Sequence, residues 1–402
     1  MERVNDRGYI KSLIFLLTAA YTVSYITRIN FGAIISEMES ATKISRDLLS
    51  MALTGSFITY GAGQIISGFL GDRISPKKLV AFGFATTTLM NFLIPLCKSP
   101  YLMLLVWCIN GLAQSFMWPP LVKIMTATLS DDDYKTASVR ISYGSSIGTM
   151  AIYFVSPLVI LLFGWKGVFV FSALCGIVMF LFWSRLAPEV CVKSGEKTVK
   201  TEICKNKVFT PVIIAIMVAI MLQGMLRDGV TTWMPSYIAQ TYNLSNVISI
   251  LTGVVLPIFS MVCFKIAAYV YKNKLKNPVL CAGVVFLIGA ISAIFLLLIT
   301  GRNAVFSVFF LATLTGSMHG VNLMLICMLP PYFKSSGQTS TISGILNASV
   351  YVGSAISTYG VALISKNYGW YSTLFVWAAV AVIGTLLCLV CVKAWQKYED
   401  RV

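Results

Sequence analysis

The stretch LIFLLTAAYTVSYITRINFGAIIS, Leu13–Ser36, is apolar or small along almost its whole length and carries one cation, Arg28. At a rise of about 1.5 Å per residue it is long enough to cross a bilayer, which takes roughly 20 residues. It therefore reads as a membrane helix with a charge near its middle. Such a charge is costly and marks a functional position by default. The rest of the chain has the same character: of 402 residues, 57% are hydrophobic and only 11% charged, with a mean hydropathy of +0.81. Soluble domains carry about 25% charged residues. The opening MERVNDRGYIKSLIFLLTAAY lacks a small-residue cleavage site, so it reads as the first span rather than a removed signal.

Working outward, windows long enough to span fall at 11–36, 49–71, 78–97, 101–127, 136–161, 167–185, 209–239, 247–271, 278–299, 304–330, 338–364 and 370–392. The expected fold class is thus an all-α membrane protein of 12 transmembrane helices in two six-helix halves. The expected domains are an N-terminal half, 1–186, a cytoplasmic linker, 187–208, and a C-terminal half, 209–402. The linker, SRLAPEVCVKSGEKTVKTEICKNK with its flanks, is the longest polar segment.

Basic residues orient this arrangement. With both termini cytoplasmic, twenty-one lysines and arginines fall on inner segments and six on outer ones, as the positive-inside rule requires. A missed span would scramble that bias. The net charge of +16 is therefore explained by topology, and no nucleic-acid partner is expected. The ten cysteines are scattered, mostly inside apolar stretches, and there is a single histidine, His319. The cysteines read as buried small hydrophobes rather than a disulfide framework or a metal site. No nucleophile–base arrangement is recognisable, so the chain is not expected to be an enzyme, and no cofactor is expected.

Four basic residues remain inside spans: Arg28, Lys123, Arg140 and Arg227. Arg28 follows Lys11 by 17 residues and Arg227 follows Lys207 by 20. Each lysine marks the inner start of the first span of a half, so both arginines are expected near the midplane at corresponding places. Two guanidinium forks facing a shared cavity suit an anion with several oxygens, since arginine binds phosphate or carboxylate bidentately and keeps its charge. Tyr21, Tyr25 and Arg28 share one helix face by their spacing. Asn347 and Tyr351, one turn apart, are further candidates for the pocket lining. Lys123 and Arg140 lie near inner helix ends and are expected to act in gating or between helices. Asp228 is the acidic residue placed well inside a span, and with His319 it is a candidate for proton handling.

The segment GFLGDRISPKKL, residues 68–79, resembles the signature between spans 2 and 3 of the major facilitator superfamily, with Gly68, Gly71, Asp72 and Arg73 in place. The resemblance implies that fold and a role for Gly68, Asp72 and Arg73 at the inward-side gate. The matching segment of the second half, FKIAAYVYKNKLKNP, has lost the acidic residue. YITRINFG, QSFMWPPLVKIM at 114–125 and LRDGVTTWMPSYI at 226–238 resemble the organophosphate:phosphate antiporters. So do SGILNASVYVGSAIS and the Tyr-Gly-Trp opening span 12. The resemblance implies that arginines in spans 1 and 7, here Arg28 and Arg227, hold phosphate, with Tyr21 and Tyr25 beside the first. It also implies alternating access. Three positions depart from the glycerol-3-phosphate exchangers: Gln64 in place of a lysine, Ser145 in place of a histidine, and Gly224 in place of a tyrosine.

The expected function is secondary transport of an organic anion, an organophosphate exchanged for inorganic phosphate. The alternative is a proton-coupled symporter of a carboxylate such as a sugar acid, and a third class is a non-transporting membrane sensor of a sugar phosphate. The expected partners are the small anion, inorganic phosphate and the lipid bilayer. The expected state is a monomer in the cell's inner membrane, multi-pass.

Overall fold

The structure, a computed structural model, describes residues 6–190, 210–244, 252–334 and 337–399. The expected linker therefore lies outside the described residues from 191 onward, as do residues 247–251 of the eighth expected span.

Every regular element among the described residues is helical. The helices are α1 (Arg7–Ala33), α2 (Ile35–Thr42), α3 (Arg46–Gly71), α4 (Pro76–Leu93), α5 (Pro100–Ser115), α6 (Trp118–Thr128) and α7 (Asp131–Leu186). After the linker come α8 (Pro211–Tyr242), α9 (Val255–Asn273), α10 (Pro278–Ile299), α11 (Ala304–Asn322) and α12 (Thr339–Glu399). Their starts are chemically marked. Asp6 caps α1 by accepting from the Gly8 N–H at 2.8 Å. Asn277 and Asn303 cap α10 and α11 through their side-chain oxygens. Proline stands in the first turn of α4, α5, α6, α8 and α10, where its missing N–H has no partner to lose.

Two helices are long enough for two crossings each, and both break at glycine. In α7 the break is Gly164, with φ 67°, and in α12 it is Gly369, with φ 77°. Only glycine adopts that left-handed conformation freely. Tryptophan follows in both cases, Trp165 and Trp370, so the same reversal is written into both halves. Among the described residues nine segments are long and apolar enough to cross a membrane. Asp131–Leu186 supplies two crossings, and α3 and the first part of α12, richer in glycine, serine and threonine, complete twelve. The outward faces are oily: Leu161 is 82% exposed, Phe15 76% and Val390 76%.

By contact the chain divides into two units, Met1–Glu196 with Ser336–Ala348, and Lys197–Ser335 with Ser349–Val402. The interior of the first is held by polar side chains rather than by oil alone. Gln114 of α5 accepts from the Ser24 hydroxyl at 2.6 Å and donates to Thr27 and Thr87, both at 2.8 Å. Asn91 donates to the Thr27 and Thr87 carbonyls and accepts from Asn30 at 2.7 Å. The Thr87 hydroxyl donates to Asn110. All these side chains are buried, and they weld α1, α4 and α5. Without a hydrophobic force between helices in lipid, such bonds contribute about 0.6–2 kcal/mol each. At one end an apolar cluster closes the unit, with Phe31, Trp107 and Phe169 packed edge to face or tilted, centroids 5.0–5.8 Å apart.

Small residues let helix backbones touch. A methyl on Gly148 of α7 would stand 2.4 Å from the Thr22 carbonyl oxygen of α1. In the second unit, a methyl on Gly353 of α12 would stand 2.0 Å from the Met221 carbonyl oxygen of α8. These are the same crossing, repeated. Arg28 lies six positions beyond Thr22, and Arg227 six positions beyond Met221.

Replacing Gly148 or Gly353 by leucine should therefore destabilise each unit by about 1–3 kcal/mol or more, since the intruding atoms meet backbone rather than a movable side chain. Gly360, where a methyl meets no described atom within 4 Å, is the control. Thermal unfolding in detergent should drop for the first two variants and hold for Gly360→Leu.

Candidate functional site

The arginine of the first unit is set among aromatic rings. The Arg28 guanidinium carbon lies 4.2 Å from the Tyr25 ring centroid and 4.7 Å from that of Tyr60. Tyr25 in turn packs edge-on against Tyr21 at 5.2 Å, and Tyr21 against Trp118 at 5.3 Å. Tyr21, Tyr25 and Arg28 thus share a face of α1, as their spacing requires. Ring faces attract a cation without cancelling its charge; each contact stabilises by about 0.5–2 kcal/mol. Tyr60 on α3, buried to 3%, was not read as a site residue from the sequence. Its signal was its place one turn before Gln64, a position already singled out.

The arginine of the second unit is treated differently. Arg227 Nε and Nη2 donate to the two carboxylate oxygens of Asp228 at 2.7 and 2.9 Å, and Nη1 donates to Asn322 Oδ1 at 3.1 Å. Adjacent residues on a helix do not normally face each other, so the arginine chain must curl back to reach its neighbour. The Ser354 hydroxyl of α12 donates to Asp228 Oδ2. Asn322 ends α11, and the chain continues as a π turn, Leu323–Cys327. Such turns recur at functional sites because they re-aim a helix.

His319 lies one turn before Asn322. Its Nδ1 is 2.9 Å from the Thr315 carbonyl oxygen and 3.1 Å from Ser260 Oγ. A carbonyl only accepts, so Nδ1 carries the hydrogen and Nε2 is the lone-pair nitrogen in the neutral ring. The ring stands edge-on to Phe264.

At the gate signature, Asp72 receives three donors. Lys123 Nζ is 2.8 Å from Oδ1, and the Ser340 and Thr341 N–H groups lie at 3.2 and 2.7 Å. The carboxylate therefore caps the first turn of α12 while pairing with α6, and Lys123 also donates to the Gly337 carbonyl at 3.1 Å. The Gly68 position makes room for this: a methyl there would stand 2.7 Å from the Ser340 carbonyl oxygen. The Arg73 guanidinium lies over the Phe69 ring. Arg140 is exposed on α7.

The other sequence candidates fall as follows. Asn347 donates to Gln64 Oε1 at 3.0 Å, and the Gln64 amide donates to the Ser115 carbonyl at 3.4 Å. Asn347 is thus tied to a buried glutamine, while Tyr351 is half-buried one turn along α12. Gly224 has a packing reason, since a methyl there would stand 2.3 Å from the Val350 carbonyl oxygen. The Ser145 hydroxyl donates to the Ser142 carbonyl. Among the described residues no group of three or more metal-ligating side chains comes together.

Comparison with known proteins gives a consistent picture. The family model described as Major Facilitator Superfamily matches residues 17–358. A "Probable hexose phosphate transport protein" of Chlamydia muridarum is 23% identical over 415 residues, covering 94% of this chain and 90% of that protein. The "Membrane sensor protein UhpC" of Salmonella typhimurium is 22% identical over 423 residues, covering 98% of this chain and 94% of the relative. The solved structure of the proton:xylose symporter XylE bound to 6-bromo-6-deoxy-D-glucose superposes with a TM-score of 0.76 at 11% identity, covering 94% and 95% of the two chains. That likeness is one of fold.

Asp72→Asn should weaken the charge-assisted cap on α12 and the Lys123 pair together. Loss of about 1–3 kcal/mol is expected, read as a lower unfolding temperature, with Lys123→Met losing less because the two N–H bonds survive.

Proposed function

The chain belongs to the Major Facilitator Superfamily, and from that premise we propose that it is a secondary transporter of a phosphorylated organic anion, exchanged against inorganic phosphate by alternating access. The observation that carries this reading is the register of the two arginines. Arg28 and Arg227 each stand six residues beyond the carbonyl on which a glycine of the partner helix packs. Cations at corresponding positions of the two repeats suit an anion with several oxygens, because each fork offers two parallel N–H donors. Tyr21 and Tyr25, with Tyr60, hold the first guanidinium and present phenols toward the substrate. Relatives named for hexose phosphate transport support the substrate class.

In this reading residues 1–186 and 209–402 are the two repeats and 187–208 their cytoplasmic link. Both termini are cytoplasmic, the membrane is the inner one, and the carrier works as a monomer. Gly68, Asp72, Arg73, Lys123 and Arg140 act at the inward-side gate. Asn347 and Tyr351 contribute to the substrate face of α12, with the Asn347 amide steadied by Gln64.

A second reading is proton-coupled symport of a carboxylate such as a sugar acid. It is favoured by one observation, the carboxylate of Asp228 on Arg227, with His319 Nε2 as a further proton acceptor. The likeness to a membrane sensor keeps sensing of a sugar phosphate as a third class, in which ligand binds without transport.

Uptake into proteoliposomes distinguishes these. Glucose 6-phosphate should enter phosphate-loaded vesicles much faster than empty ones, and a proton gradient should not speed its entry. Uptake driven by the gradient alone would sustain symport, and binding without uptake would sustain sensing. Arg28→Lys and Arg227→Lys should each weaken binding about tenfold or more, since a point charge does not replace a planar fork. Normal binding by either variant would overturn the paired-arginine site.

A further inference from the structure

We infer that Asp228 is a built-in counter-ion that stands in for the transported anion on Arg227, so that the empty carrier can change conformation without exposing an unpaired cation to the membrane interior. The inference rests on the reading of Arg227 as a substrate contact. Its structural basis is the fork–fork geometry: Nε and Nη2 meet Oδ1 and Oδ2 at 2.7 and 2.9 Å, the arrangement a phosphate or carboxylate ligand would adopt on the same edge. Ligand and Asp228 therefore compete for one set of donors. The carboxylate accepts from the Ser354 hydroxyl, whose single hydrogen is shared with the Val350 carbonyl at 3.0 Å. Asn322 holds the far side of the guanidinium.

In the matched register the residue after Arg28 is Ile29, so the first repeat has no carboxylate at that position, and its arginine is contacted by the rings of Tyr25 and Tyr60. A carrier whose second arginine waits for substrate would be tied to exchange, because an uncompensated buried charge is strongly unfavourable. With Asp228 in place, that constraint is relaxed at Arg227, and net movement of substrate accompanies exchange. Asp228 thus acts as a positioning residue that sets the ratio of the two modes.

The test has two arms. In proteoliposomes loaded with radiolabelled inorganic phosphate, efflux into anion-free buffer is compared with phosphate–phosphate exchange. Wild type should show appreciable net efflux, and in Asp228→Asn the ratio of efflux to exchange should fall about tenfold, the size of a lost partial charge neutralisation. An unchanged ratio, or a wild type confined to exchange, overturns the inference.

The second arm needs no substrate. Labels introduced by unnatural amino acids at the exposed positions Asp132 and Lys272 report distance distributions of ligand-free protein. Wild type should populate two states. Asp228→Asn and Arg227→Gln, each removing one member of the ion pair, should populate one, and the electroneutral pair Arg227→Gln/Asp228→Asn should recover two. Identical distributions for wild type and the single variants, or no recovery in the pair, overturn the inference. If phosphate is neither exchanged nor released by wild type, the phosphate-antiport reading fails, and the distance arm still decides the role of Asp228.

Discussion

A guanidinium among apolar helices gives up much of the water that would solvate it, and the protein must supply what is lost. The two repeats meet this constraint with different chemistry. Around Arg28 the contacts include two ring faces. Around Arg227 they include a carboxylate in bidentate contact, backed by an asparagine and a serine. The same helix crossing, carried by Gly148 in one unit and Gly353 in the other, delivers both arginines to matched positions.

The backbone constraint shapes the remainder. Lipid cannot satisfy N–H and C=O groups, so every span is helical, and helices that must cross closely do so at glycine. The polar residues inside the first unit follow the same logic. Ser24, Thr27, Thr87, Asn91, Asn110 and Gln114 bond one another, so that fixed helix contacts are specified by hydrogen bonds rather than by oil, which does not distinguish a helix from a lipid tail.

The fold was legible because its signals are long and physical. Apolar windows mark the crossings, and the bias of lysine and arginine toward one set of connecting segments supports their count. The reversals at Gly164 and Gly369 were harder to see, since continuous apolar sequence hides a break that only a positive φ reveals. Within the site, Tyr21, Tyr25 and Arg28 were readable from helical spacing. Tyr60 and Ser354 were not, because they meet the site through tertiary packing from α3 and α12. The relation of Arg227 to Asp228 was also hidden: a neighbour in sequence lies about 100° around a helix, and only the curled side chain closes that gap. Gly224, read as a missing phenol, proved to be a place where two backbones nearly touch.

The proposed function turns on Arg28 and Arg227 acting on the same anion. A double-mutant cycle on inorganic phosphate binding tests it most directly, using Arg28→Lys, Arg227→Lys and the two combined. If both forks hold the same ion, either substitution alone should cost nearly as much as both, leaving a coupling energy well above the ~0.5 kcal/mol of independent sites. Strictly additive losses would mean that the two arginines do not share a ligand, and would contradict the account.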